Sequence, residues 1–214
     1  MVIKKKKNKK QEKYLTDFEK DQLIEVVNIG AGNASTALSQ MVNKTVIIRV
    51  PELFVDKIEK VPKFLGKQEE IMTGVLLKIL GDAPGMMFLM FPTDSAGQLA
   101  RLLTGRKKET HILDTLSRSA LQEAGNILAG TSMNALSRFL DMNIIQSVPE
   151  TATDMLGSVI NSVLAEIGKS SDIVLILKVD FRVEGEKISG KLFFIFDPRS
   201  TSKILETAKK KISK

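Results

Sequence analysis

The chain has 214 residues, 43% of them hydrophobic, enough to bury a core as one domain or as two fused halves that share a sheet. It has no cysteine, which excludes disulfides, thiolate metal sites and a cysteine nucleophile, and fits a reducing cytoplasm. The net charge of +7 is local, because residues 1–13 hold seven lysines and one glutamate and leave 25 basic and 24 acidic groups elsewhere, so the body has no electrostatic footprint for nucleic acid.

Residues 1–14 read as a basic, disordered tail ahead of one domain, 15–214, built from two repeats at about 15–105 and 113–211. From about Thr16 to Val42 the spacing of Leu23, Ile24, Val27, Ala31, Ala34 and Leu38 predicts a helix, with Thr16 and Glu19 placed as a capping box. Thr45 to Val50 is β-branched and predicts a strand that stops at Pro51. Ile71–Leu80 and Gly85–Phe91, split by GDAP, predict a hairpin, and Pro92–Thr104 a helix. The scheme then restarts with a helix at Asp114–Leu140, a strand at Asn143–Val148 and a helix at Ala152–Ile167. Strands at Asp172–Val183 and Ile188–Phe196 and a helix at Ser200–Lys211 complete it. No apolar run reaches the roughly 18 residues of a membrane span, and a cytoplasmic protein is expected.

Residues 21–52 match residues 119–150 at thirteen of thirty-two positions with a shift of 98, and FLMF at Phe88–Phe91 answers FFIF at Phe193–Phe196 after a slip of seven. The chain is a tandem duplication. The fold class is α+β: an internally duplicated helix, strand, hairpin and helix unit with pseudo-twofold symmetry, its strands in one shared sheet flanked by helices.

Asp21, Glu25 and Asn28 fall at i, i+4 and i+7 on one helix stripe apart from the apolar one, and Ser119, Glu123 and Asn126 repeat them. Asparagine is a mediocre mid-helix residue, yet both copies keep it while neighbouring polar positions change, as Asn33 to Thr131 and Thr36 to Asn134. A carboxylate can hold a lysine of another protein in a charge-assisted bond, and a carboxamide can orient a water without being protonated. Such a pair completes another protein's phosphoryl-transfer site by positioning rather than by covalent chemistry.

The pattern Asp or Ser, three residues, Glu, two residues, Asn, twenty-two residues, Pro is met twice, at Asp21, Glu25, Asn28, Pro51 and at Ser119, Glu123, Asn126, Pro149. Over roughly residues 15–211 the chain resembles the CheC, CheX and FliY family of chemotaxis phosphatases, and its CheC branch best, since no FliY-type switch domain follows and CheX-like chains are shorter. The resemblance implies a cytoplasmic monomer that hydrolyses the aspartyl phosphate of a CheY-type response regulator. Catalytic Glu25 and Glu123 would engage the regulator's lysine, and catalytic Asn28 and Asn126 would orient the attacking water. No cofactor or metal is expected on this chain, because Mg²⁺ would belong to the regulator. CheD, a receptor deamidase, is the further partner the resemblance implies, with no motif here to assign to it. The alternative is a non-catalytic scaffold that binds CheD or the flagellar switch, as the related switch protein FliM shares the fold and lacks the Glu/Asn pair.

The remaining signals read more plainly. Asp21 and Ser119 are weaker candidates for contact with the substrate protein. Pro51 and Pro149 are structural, ending strands and fixing the chain's exit. The run GAGNAS, Gly30–Ser35, follows no strand and is no phosphate loop, so Gly32 and Gly130 are expected at close helix packing. His111 has no metal-binding companion and reads as a loop or helix-start residue. Met86, Met87 and Met90 read as core filler.

Overall fold

The computed structural model describes residues 14–65, 68–106, 113–167 and 173–212, and of Pro51 the backbone alone. The lysine-rich start and His111 lie outside the described residues. Two 26-residue helices, α1 (Asp17–Val42) and α4 (Thr115–Leu140), sit 98 residues apart at both ends. The capping box at α1 is formed: Thr16 Oγ1 accepts from the Glu19 N–H at 3.2 Å and Glu19 Oε2 accepts from the Thr16 N–H at 2.7 Å. At α4 the Asp114 carboxylate accepts from the Ser117 N–H at 2.9 Å. That carboxyl is held down at about 2 by the Ser117 hydroxyl and N–H and by Arg106. Its folded-state value is depressed, so the cap's contribution is present above the usual carboxylate range and is lost only as pH falls through about 2. Both helices end at a left-handed residue, Asn43 and Asp141.

Between them lie β1 (Val46–Lys57), α2 (Val61–Leu65), β2 (Ile71–Gly81), β3 (Gly85–Pro92) and α3 (Thr93–Thr104). After α4 come β4 (Ile144–Gln146), β5 (Glu150–Met155), α5 (Leu156–Ile167), β6 (Ile173–Val183), β7 (Ile188–Phe196) and α6 (Pro198–Ile212). The strands form one antiparallel sheet ordered β1-β6-β7-β3-β2-β4, with β5 also on β2. Exchanging the two halves reverses this order, so a pseudo-twofold axis passes between β3 and β7, and each half lends its first strand to the other half's hairpin. At that axis Phe88 of FLMF pairs with Phe193 of FFIF, their rings 5.1 Å apart. The fold is α+β with duplicated halves in a shared sheet.

Alternation on the strands fills two cores. Leu77, Met87, Leu89, Leu177, Val179 and Phe194 face one side, covered by α1, α3, α4 and α6. Phe88, Met90, Ile176 and Phe193 face the other, covered by the short α2 and α5. Met86, Met87 and Met90 are all buried.

Three expectations are corrected. The first strand does not stop at Pro51: it runs on to Lys57 through a register shift between Arg49 and Glu52. A bulge has no ladder bond there for proline to break, so the residue that lacks an N–H fits inside the strand. Ala152 does not begin a helix, because residues 150–155 are β5, zipped to β2 with the Thr73 and Thr153 hydroxyls 3.0 Å apart, and α5 starts at Leu156. Pro149 lies in the gap between β4 and β5.

The third correction concerns glycine. Gly32 is exposed and a Cβ there would meet nothing within 4 Å, while at Gly130 it would meet the Gln146 side-chain nitrogen at 3.2 Å. The close approach is made by Gly30 instead, where a Cβ would stand 2.7 Å from the Thr131 carbonyl oxygen and 2.8 Å from Ser132 Cα. Gly32→Ala should therefore stabilise the protein by about 0.5–1 kcal/mol, seen as a higher melting temperature, since it raises helix propensity at no steric cost.

Candidate functional site

Glu25 and Glu123 are exposed on α1 and α4, as are Asp21 and Ser119, and Asn28 and Asn126 are half-buried at the edge of the same stripes. The helices are related by the pseudo-twofold axis and run antiparallel, with Gly30 of α1 against Ser132 of α4. Glu25 lies five residues before Gly30 and Glu123 nine before Ser132. At 1.5 Å per residue in opposite directions, this places the two couples about 20 Å apart along the helix pair. The two couples are therefore separate in space.

The first asparagine is anchored by the bulge. Its Oδ1 accepts from the Val50 N–H at 2.9 Å, which serves a strand amide where the register with β6 shifts, one residue before Pro51. The twenty-two-residue spacing thus has a physical meaning: it brings the residue preceding proline under the helix, and an otherwise unmet donor fixes the carboxamide. With one lone pair of Oδ1 engaged, the second lone pair and the NH₂ group remain for a ligand. Val50 itself is 4% exposed.

The second site is built differently. Asn126 Oδ1 accepts from Gln146 Nε2 at 3.2 Å, and the same nitrogen reaches the Asn126 main-chain carbonyl at 3.4 Å. Gln146 occupies the position of Ile48 in the first repeat, which is buried. Because the strand breaks between β4 and β5, Ser147 turns to Lys78, their backbone bond 2.9 Å, and Val148 is left 82% exposed. Sequence reading missed both Val50 and Gln146. Only the replacement of an apolar residue by glutamine at the equivalent strand position could have pointed to the second.

A cleft of about 620 Å³, lined among others by Leu65, Leu156, Phe193 and Arg182, includes none of the four Glu and Asn residues. The couples stand instead on an outer helix surface, which suits a macromolecular ligand that supplies its own concavity. Among the described residues no helix is long and apolar enough to cross a membrane.

Comparison with known proteins is consistent across sequence and fold. The sequence profile of the CheC-like family matches residues 18–55 and 116–152, the two segments that carry the couples. The chain is 30% identical over 195 residues to the CheY-P phosphatase CheC of Bacillus subtilis, spanning 89% of this chain and 93% of that protein. The chain belongs to the CheC-like family. Its fold is that of Thermotoga maritima FliY, with a TM-score of 0.73 at 24% identity over 92% of this chain and 98% of that one. The FliM middle domain from H. pylori shares it at a TM-score of 0.62 and 12% identity, over 90% and 99% of the two chains. The family segments take in Phe18, Leu116, Val50 and Gln146 as well as the Glu and Asn residues.

Proposed function

We propose that this protein accelerates hydrolysis of the aspartyl phosphate of a CheY-type response regulator in chemotaxis, acting in the cytoplasm. The observation that carries the reading is the doubled couple: an exposed carboxylate one turn from an anchored carboxamide, on each of two paired helices. The 30% identity to the CheY-P phosphatase CheC of Bacillus subtilis supports it. In this reading Glu25 and Glu123 accept a hydrogen bond from the regulator's lysine. Asn28 and Asn126 hold the attacking water in line with the phosphorus, accepting a hydrogen bond from it on the free lone pair of Oδ1. The regulator supplies the phosphoaspartate and Mg²⁺, and no metal on this chain takes part. Asp21 and Ser119 would touch the regulator one turn before each Glu. Pro51 and Pro149 act structurally, the first inside the bulge of β1 beneath Asn28 and the second in the break between β4 and β5.

The test is the time course of phosphate release from phosphorylated regulator with and without the protein, its Asn28→Ala and Asn126→Ala forms and the double variant. Wild type should shorten the phosphate lifetime, each single variant should keep part of the effect, and the double variant should lose about a hundredfold or more. Full activity in the double variant would end the proposal. The likeness to FliM favours a second reading, a non-catalytic scaffold for CheD or the flagellar switch; regulator binding that leaves the phosphate lifetime unchanged would select it.

A further inference from the structure

Large apolar side chains stand exposed beside both couples. On α1, Phe18 is 61% exposed two turns before Glu25 and Ile29 is 59% exposed one turn after it, so the carboxylate is flanked along its own stripe. On α4 the residue equivalent to Phe18 is Leu116, 53% exposed, again two turns before Glu123. The identity has changed between the repeats and the exposed apolar character has not. Beyond Glu123 the arrangement differs, because Ile127 is only half-buried surface while Val148, two residues past the Gln146 that holds Asn126, is almost wholly in solvent. Apolar groups of this size grouped around a polar centre mark a protein-binding surface: a few buried anchors supply the affinity and the surrounding polar contacts the orientation.

We propose that Phe18 with Ile29, and Leu116 with Val148, form apolar docking collars that seat the protein surface around the regulator's acyl phosphate. This rests on the phosphatase reading and adds to it a division of labour. The collars bind, the Glu/Asn couples act, and the two collars differ because the bulge that buries Val50 is an open break at Val148. The occupant follows from continuity: whatever brings a phosphoryl group to Asn28 must also cover Phe18 and Ile29, which lie on the same stripe within about 10 Å of Glu25 along the axis.

The experiment titrates the full chain with a CheY-type regulator loaded with beryllium fluoride, a stable mimic of the acyl phosphate. Kinetics follow with phosphorylated regulator in the Asn126→Ala and Asn28→Ala backgrounds, which isolate one site each. Phe18→Ser in the first background and Val148→Ser in the second should each raise KM about tenfold, with the change in KM rather than kcat, and Phe18→Leu should recover most of the loss. Combining Phe18→Ser with Val148→Ser in an otherwise wild-type chain should weaken the titrated affinity by about the same factor. Met41→Ser, which removes an apolar residue 41% exposed at the far end of α1, should change neither. Circular dichroism checks the fold, which these surface changes leave alone. Unchanged affinity in the double serine variant, an equal loss from Met41→Ser, or a fall confined to kcat would overturn the collars. Collar-dependent binding with no acceleration by wild type would instead retain the collars and remove the phosphatase reading.

Discussion

Asn28→Asp, made in a chain that already carries Asn126→Ala, should remove phosphatase activity as completely as Asn28→Ala does, yet leave the melting temperature close to that of its parent. The two roles of Asn28 come apart in this variant. Aspartate keeps an oxygen for the Val50 N–H, which Asn28 meets at 2.9 Å, so the bulge stays satisfied. Alanine leaves that strand amide without its partner beneath a buried valine, a loss of about 1–3 kcal/mol and thus a few degrees in a chain of this length. Toward the ligand the outcome reverses. The carboxylate cannot donate, and it sets a negative charge against a phosphoryl group, a repulsion of roughly 4 kcal/mol at about 4 Å with an effective dielectric of about 20. That is nearly a thousandfold in rate. Phosphate release and thermal melts on the three proteins decide the matter. An aspartate variant that stays active would mean that the carboxamide does not face the phosphoryl group.

What could be read from the residues alone was what local pattern and repetition encode. Thr16 and Glu19 announce the start of α1 because a capping box is a contact between residues three apart. The hairpins β2–β3 and β6–β7 follow from short β-branched and aromatic runs around turn residues. The duplication put Glu25 with Glu123 and Asn28 with Asn126 on matching helices, and the resemblance gave that stripe a chemical task. What escaped were pairings between distant segments. Nothing near Pro51 indicates that β1 resumes its ladder with β6 at Glu52, since the decisive partner, Lys178, lies far along the chain. Ala152 and Thr153 read as the start of a helix because only β2, far back in the chain, supplies the backbone that makes the segment a strand. The Asn28 anchor was equally invisible, because its donor is a main-chain group left over by the bulge rather than any residue type.

Gly30→Val should be among the most damaging single substitutions available in this fold, and it should disturb both couples together. A Cβ at residue 30 would meet the Thr131 carbonyl oxygen and Ser132 Cα at 2.7 and 2.8 Å, and both atoms belong to the α4 backbone. A side-chain neighbour could rotate away, as the Val75 side chain facing Gly125 could in part, whereas a helix backbone yields only by moving the helix. The gain in helix propensity on leaving glycine, up to about 1 kcal/mol, is smaller than the overpacking it causes, typically about 1–3 kcal/mol for a modest insertion and more for a branched one. Gly30→Ala is expected to lose stability slightly and Gly30→Val by about 3 kcal/mol, a fall of roughly 6–12 °C in melting temperature. Prying α1 from α4 also shifts α1 over β1, so the Asn28 bond to Val50 lengthens, and it shifts α4 over β4, where Gln146 holds Asn126. Activity at each site, measured in the Asn126→Ala and Asn28→Ala backgrounds below the new melting temperature, should fall in both. A loss at the first site alone would mean that α4 holds its place on the sheet and α1 absorbs the whole displacement, and a chain as stable as wild type would show that the two helices do not approach so closely at Gly30.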